Sequence, residues 1–290
     1  MGLIVSVWFN ARTTRKPPSP SAFFPLAVPT SSRLALALAT SPASPVDRES
    51  HWSSHCCSPH LVLSPCKREV TRTPAEMSSD GVRAEVGVKS GLHLWELLWS
   101  PGHRGSHAVI GVSALDCPLQ ASGYSVLVGG DSQSWGWELV SNQLWHSGKM
   151  LEHYPGKEKR NPSKNADSLG PELFSSSNRK ESEAPLLIPE RILLVLDADA
   201  GTLGFVVDES FLGVAFKDLP RGVELFPAVS SVRGGARIQL RYLNGSTCEP
   251  PPLMALCGLS IRRVLGKQEQ THVEKLPLPP YLQHHLLHSY

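Results

Sequence analysis

Ile192-Leu193-Leu194-Val195-Leu196 is a run of five apolar residues that stops in Asp197-Ala198-Asp199-Ala200-Gly201. The run has the length of a strand, and the acids and glycine behind it are turn chemistry. Ala108-Val109-Ile110-Gly111-Val112 is a second run of this kind. Tyr124-Ser125-Val126-Leu127-Val128 mixes aromatic, branched and polar residues, and Arg237-Ile238-Gln239-Leu240-Arg241-Tyr242 alternates as a half-buried strand does. Turns at Gly129-Gly130-Asp131 and Arg233-Gly234-Gly235 separate such segments. Short strands at this spacing predict a mainly β fold, a sandwich of antiparallel sheets. Strands and helices do not alternate, which weighs against a doubly wound nucleotide-binding fold.

Composition narrows the function classes. The 290 residues carry a formal net charge of +2, with 19% charged residues. A generally basic nucleic-acid binder is therefore excluded, because phosphate binding needs clustered Lys and Arg. Gly (23) and Pro (25) suit a turn-rich β protein with Pro-rich ends. No run of eighteen apolar residues occurs, so no membrane span is expected. Six Cys without repeated spacing, and no convincing secretory signal, point to reduced thiols in the cytoplasm.

The chain divides into segments. Residues 1–50 are rich in Pro, Ser and Ala, and composition predicts disorder. Two further readings of this start stay open. The acid-poor, Arg-containing segment resembles a transit peptide, and Met1-Gly2-Leu3-Ile4-Val5-Ser6 fits the loose N-myristoylation pattern. Residues 51–246 carry the β pattern. Within them, 155–185 is polar, with Lys157-Glu158-Lys159-Arg160 and Ser175-Ser176-Ser177, and reads as a flexible surface insertion. Residues 247–290 change period. Leu253, Cys257, Ile261 and Val264 share one helical face behind Pro251-Pro252. This stripe either docks on the sandwich or is reserved for a partner. Leu276-Pro277-Leu278-Pro279 then forces an extended turn.

Gly91-Leu92-His93-Leu94-Trp95-Glu96, His107-Ala108-Val109-Ile110-Gly111-Val112 and Ser134-Trp135-Gly136-Trp137-Glu138 resemble a SPRY domain. So do Gly201-Thr202-Leu203-Gly204-Phe205, Phe211-Leu212-Gly213-Val214-Ala215-Phe216 and Phe226-Pro227-Ala228-Val229-Ser230. Their order is similar to that of the SPRY domain-containing SOCS box family. In the tail, Leu253, Cys257 and Ile261 behind Pro252 resemble the motif that binds elongin C. Leu276-Pro277-Leu278-Pro279 resembles the box that selects cullin five, although His285 stands where the family usually has an aromatic. The resemblance covers roughly residues 51–290.

This resemblance implies a SPRY-type antiparallel β-sandwich followed by a small α-helical SOCS box. It implies a non-catalytic substrate receptor of a ubiquitin ligase, with elongin B, elongin C, cullin five and a RING protein as partners and no cofactor. The alternative is a SPRY peptide-binding scaffold that signals without delivering ubiquitin. In the family a loop surface binds short peptides of the type acidic-x-Asn-Asn-Asn. The matching residues here are Arg72, Pro74, Tyr124, Leu127, Val232, Arg233 and Gly234. Arg72 is expected to hold a peptide carboxylate or carbonyl. Glu76 and Met77 replace the usual Ala and Gln, and Arg233 replaces a Trp, so a shifted motif or weaker binding of the Asn-rich peptide is expected.

Other candidates have plainer explanations. His51, His55, Cys56, Cys57, His60 and Cys66 fit no standard zinc spacing, and His284 and His288 read as exposed terminal histidines. No nucleophile elbow, phosphate-cradling Gly-rich loop or His-Glu-x-x-His occurs. Asp197 and Asp199 flank a turn, where Asp is expected.

Overall fold

The structure is a computed structural model. It describes residues 21–40, 48–156, 185–246, 253, 257–258, 260–261 and 277–283. Two antiparallel sheets form its body. The first runs β1 (Trp52–Cys57), β4 (Ser78–Ala84), β14 (Phe226–Ser231), β6 (Ala108–Ser113), β8 (Ser134–Glu138), β9 (Gln143–His146), β10 (Lys149–His153), and β7 (Gln120–Ser122) also pairs with β4. The second runs β13 (Ser210–Phe216), β12 (Thr202–Val207), β11 (Arg191–Asp197), β5 (Leu92–Leu98), β15 (Arg237–Ser246), β3 (Glu69–Arg72), β2 (Leu61–Leu63). The insertion expected at 155–185 falls almost wholly outside the described residues.

Between the sheets lies one apolar core. Trp52, Trp95, Trp99, Trp137, Phe205, Ile110 and Leu144 are fully buried there. Trp137 stacks obliquely on Phe205 at 4.8 Å between ring centroids, and Tyr154 meets Trp137 edge-on at 5.2 Å. Such pairs add roughly 0.5–1.5 kcal/mol each beyond area burial. Trp52, Trp95, Trp99, Trp135 and Trp137 thus belong to the sandwich core.

The two uninterrupted apolar runs now have a physical cause. A strand that alternates is buried on one face, whereas a run without polar residues must be covered on both. In β11, Ile192, Leu194 and Leu196 face the core, while Leu193 and Val195 belong to a second cluster on the outside. In β6, Ala108, Ile110 and Val112 face the core, and Val109 packs outside against Val128 and Ala228. Two chain segments supply these outer covers.

The cover of β11 corrects the sequence reading. Residues 21–40, expected to be disordered with the rest of 1–50, pack on the second sheet. Helix α1 (Ser32–Ala39) buries Leu34 and Ala37 against Leu92, Leu94, Leu193, Val195 and Val206. Ser31 caps it, its Oγ accepting from Leu34 N at 3.2 Å. Phe23 is buried in the main core. Composition averaged over fifty residues hid a six-residue run of Leu and Ala, Leu34–Ala39, with high helix propensity. Residues 1–20 and 41–47 lie outside the described residues.

The cover of β6 is the segment 124–130, which also lines the candidate site; the strand expected at Tyr124–Val128 does not form, because Ser125 N and Val128 N are taken by the Ser79 and Ser230 hydroxyls instead of a neighbouring strand. Gly129 has φ +92, and a Cβ there would stand 2.5 Å from the Trp145 carbonyl. Only glycine lets this segment lie so close to β9.

Candidate functional loop surface

Three connections meet at one end of the sandwich: 73–77 between β3 and β4, 123–133 between β7 and β8, and 232–236 between β14 and β15. The first two are joined by Gly123 N donating to Met77 O at 2.8 Å. The first and third are joined around Arg72, whose N donates to Ala236 O at 2.9 Å and whose O accepts from Gly235 N at 2.7 Å. A Cβ on Gly234 would stand 2.9 Å from Pro74 Cα, so that glycine lets the two loops touch. Ser79 Oγ accepts from Ser125 N and lies 2.9 Å from the Gly123 and Ser125 carbonyls. Ser230 Oγ accepts from Val128 N, and Ser134 Oγ from Gly129 N.

A buried ion pair holds the assembly. Arg72 Nε and Nη2 stand 2.9 and 2.8 Å from Asp80 Oδ2, and both side chains are fully buried. Asp80 Oδ1 accepts from Ser58 Oγ at 2.6 Å, Gln120 Nε2 at 3.0 Å and Ser78 Oγ at 3.1 Å, with His60 Nδ1 at 3.0 Å. Burial alone raises the Asp80 carboxyl. The bonds from Ser58, Gln120 and Ser78 and the Arg72 cation outweigh burial and hold it below its ordinary value. Arg72 Nη2 also donates to the Ser78 and Ala75 carbonyls at 2.8 and 3.2 Å. The expectation that Arg72 holds a peptide carboxylate is therefore corrected: its cation is enclosed, and it positions the 73–78 loop instead.

The seven residues expected at the surface do converge, but in two layers. Pro74, Tyr124 and Arg233 are exposed and Gly234 is half-buried, whereas Arg72, Leu127 and Val232 lie beneath them. Glu76 and Met77 are exposed on the same rim. Met77 holds the left-handed φ of +50, which turns the loop into β4. Among the described residues no ion pair joins Glu76 to Arg233, so both charges face solvent.

Sequence reasoning missed the neighbours of this rim. A hollow of about 480 Å³ opens beside Tyr124 and Leu127, lined further by His107, Val126 and Trp145. Their one signal was the glycine pair after Val128, which marks a close backbone approach.

The tail residues are placed individually. Leu253, Cys257 and Ile261 are helical; Leu253 is 76% exposed, Cys257 is exposed and Ile261 half-buried. Leu276 lies outside the described residues. Pro277 and Pro279 are exposed, Leu278 is half-buried, and a helical turn follows, with Leu282 N donating to Pro279 O at 2.9 Å. His284, His285 and His288 lie outside the described residues.

The dense His/Cys run disperses. His51 faces Glu85 at 3.6 Å, His60 faces Asp80, and among the described residues no three His, Cys, Asp or Glu side chains converge as a metal site. Cys66 is exposed, and hydrogen bonds from Ser64 and then Arg68 lower its thiol to about 7. Burial pushes Cys57 and Cys117 up to about 11. Asp197 and Asp199 are turn residues, accepting from Ala200 N at 2.9 Å and Gly91 N at 2.8 Å.

The SPRY domain family model matches residues 92–242, and the SOCS box model matches 249–287. SPRY domain-containing SOCS box protein 1 of Homo sapiens is 41% identical over 218 residues, spanning 75% of this chain and 72% of that protein. SPRY domain-containing SOCS box protein 2 of Rattus norvegicus is 34% identical over 282 residues, spanning 96% and 98%. Among solved structures, the SPRY domain of human HERC1 is similar at 18% identity, with a TM-score of 0.44, covering 66% of this chain and 96% of that one.

Proposed function

The chain belongs to the SPRY domain-containing SOCS box proteins, and from that premise we propose that it is the substrate receptor of an elongin BC–cullin five ubiquitin ligase. The observation that carries this reading is the order of two modules in one chain, a SPRY match at 92–242 followed by a SOCS box match at 249–287. The loop surface around Pro74, Tyr124, Arg233 and Gly234 takes a short segment of the target. The tail takes elongin C through Leu253, Cys257 and Ile261, and cullin five through Leu276, Pro277, Leu278 and Pro279. The chain itself does no bond chemistry. It raises the effective concentration of target lysines beside the ubiquitin-charged enzyme, in the cytoplasm.

Physical features support each half. Leu253 is a largely exposed leucine one helical turn from an exposed Cys257, the form of a helix anchor that fills a partner's groove. Burying such a leucine contributes roughly 1.5–3 kcal/mol, equivalent to about tenfold to a hundredfold in affinity. At the target surface, the exposed Glu76 repels an acidic peptide residue, and Arg233 offers a cation in place of an aromatic platform. An Asn-rich peptide of the usual family type therefore binds this chain more weakly than its relatives.

Co-purification of the full chain with elongin B, elongin C and cullin five tests the proposal. Stoichiometric elongin recovery, lost in a Leu253→Ala, Cys257→Ala double variant, is the expected result. Absence of elongin from folded wild-type protein sinks the ligase reading.

A further inference from the structure

Helix α1 does more than cover an apolar face. Its first-turn Arg33 reaches away from the cluster of Leu34 and Ala37 to three polar residues. Nη2 stands 2.8 Å from Asp199 Oδ2 and 2.7 Å from the Ser246 carbonyl. Nε donates to Ser246 Oγ at 2.9 Å, and Nη1 lies 3.7 Å from Asp197 Oδ1. Asp199 in turn accepts from Gly91 N, at the start of β5. One guanidinium thus ties the helix, the 197–201 turn and the last residue of β15 together.

That last residue is the point of interest. Ser246 is the last described residue of β15, and the SOCS box match begins at residue 249. Along most of the sheet a strand is held by two neighbours. β15 pairs with β3 over Arg237, Ile238 and Gln239, and Leu240 N still donates to Arg68 O at 2.9 Å, so from Arg241 onward β5 is its one paired strand among the described residues. Its register also shifts between Tyr242 and Asn244. The free side of this stretch is held by N-terminal residues instead. Tyr242 N donates to Ser50 Oγ at 2.9 Å, Asn244 Nδ2 to Ala37 O at 3.3 Å, and Arg33 closes on Ser246. A planar guanidinium with several donors fixes direction in a way a point charge does not.

We propose that Arg33 and α1 form a brace that sets the direction in which the tail leaves the sandwich, and so the separation between captured target and transferred ubiquitin. The inference rests on the ligase reading. If the exit is braced, a bound target samples a narrow range of positions, which keeps its lysines at high effective concentration. If it is free, Ser246 becomes a swivel and the range widens. Arg33 is a positioning residue; it touches neither target nor elongin in this account.

Single-molecule energy transfer tests this in the complex of the full chain with elongin B and elongin C. A donor dye replaces Lys149, an exposed residue on β10, and an acceptor sits on elongin B. Wild type is expected to give one narrow distance distribution. Arg33→Ala is expected to broaden it by about twofold, with elongin recovery unchanged, as a flexible joint replaces a fixed one. Arg33→Lys keeps the charge but not the fork and falls between. Asn244→Ala attacks the brace from β15, removing the bond to the Ala37 carbonyl while every residue of α1 is kept, and broadens the distribution while the sandwich melts as before. An unchanged narrow distribution in Arg33→Ala and Asn244→Ala, with elongin bound, overturns the brace and leaves the ligase reading intact. Failure of wild type to bind elongin overturns the ligase reading and the brace with it.

Discussion

Replacing Asp80 with Asn removes one charge and one acceptor from the centre of the loop surface. Asp80 Oδ2 meets two nitrogens of Arg72 at 2.9 and 2.8 Å, and Oδ1 meets Ser58, Ser78, Gln120 and His60. An amide can face its oxygen to only one side. Either Arg72 or the Ser58–Ser78–Gln120 group then meets an NH2, donor against donor, and in both cases a fully buried guanidinium loses its counter-charge. Breaking one side of a buried ion pair costs about 3–5 kcal/mol. That is a large part of the roughly 5–15 kcal/mol that holds an ordinary domain folded. With a urea slope of about 2 kcal/mol/M, the unfolding midpoint should fall by about 1.5–2.5 M. The pH dependence carries a sign. Asp80 is held below its ordinary value of 3.8 when folded, so its contribution is complete above that pH and fades as pH falls through the lower, folded value. Wild type should lose this contribution in acid, and Asp80→Asn, lacking it, should fall less steeply there. A midpoint shift under about 0.5 M with an unchanged slope would refute the claim that this pair holds the loops together.

Other perturbations separate the layers of the site. Tyr124 is 48% exposed, so Tyr124→Ala should lower target-peptide affinity severalfold in fluorescence anisotropy while the melting midpoint stays within a degree or two. Gly129→Ala should both destabilise the domain by at least about 1 kcal/mol and impair peptide binding, because its φ is +92 and its new Cβ meets the Trp145 carbonyl. Thiol labelling by iodoacetamide should reach half its maximal rate near pH 7 at Cys66, while Cys57 and Cys117, raised to about 11, stay unlabelled in folded protein. Leu34→Ser, placing a hydroxyl in the cluster beneath α1, should expose residues 21–40 to limited proteolysis before the sandwich itself is cut.

The strands were legible because backbone pairing and burial leave a local signature. Continuous apolar runs announced β6 and β11, and the alternation at 237–242 announced β15. The runs also contained a signal that the composition argument overrode. Five apolar residues at 192–196 require a cover on each face, and Leu34–Ala39 is a Leu/Ala helix-former stretch outside the β pattern. A pairing between segments so distant in sequence has no local mark, so α1 was read as disorder. Arg72 failed for a related reason. Its spacing within a matched motif marks it as important, but an arginine that binds a ligand and one that binds Asp80 look alike until burial is known. Pro74, Tyr124, Arg233 and Gly234 were singled out through resemblance alone, because an exposed or half-buried loop residue leaves no periodic mark in the sequence.

β5, made early, sits in the middle of its sheet between β11 and β15, which are made roughly a hundred or more residues later. β4 and β6 likewise await β14 between them. On a ribosome, then, the first layer can close only when β14 emerges and the second only when β15 does, and the SOCS box tail follows at once. Maturation of the receptor and exposure of its tail become nearly one event. A chain ended early, before β15 is complete, is not a receptor without a tail. Its second sheet is left open, with β5 and β3 bared where β15 should lie between them, a substrate for chaperones and proteases.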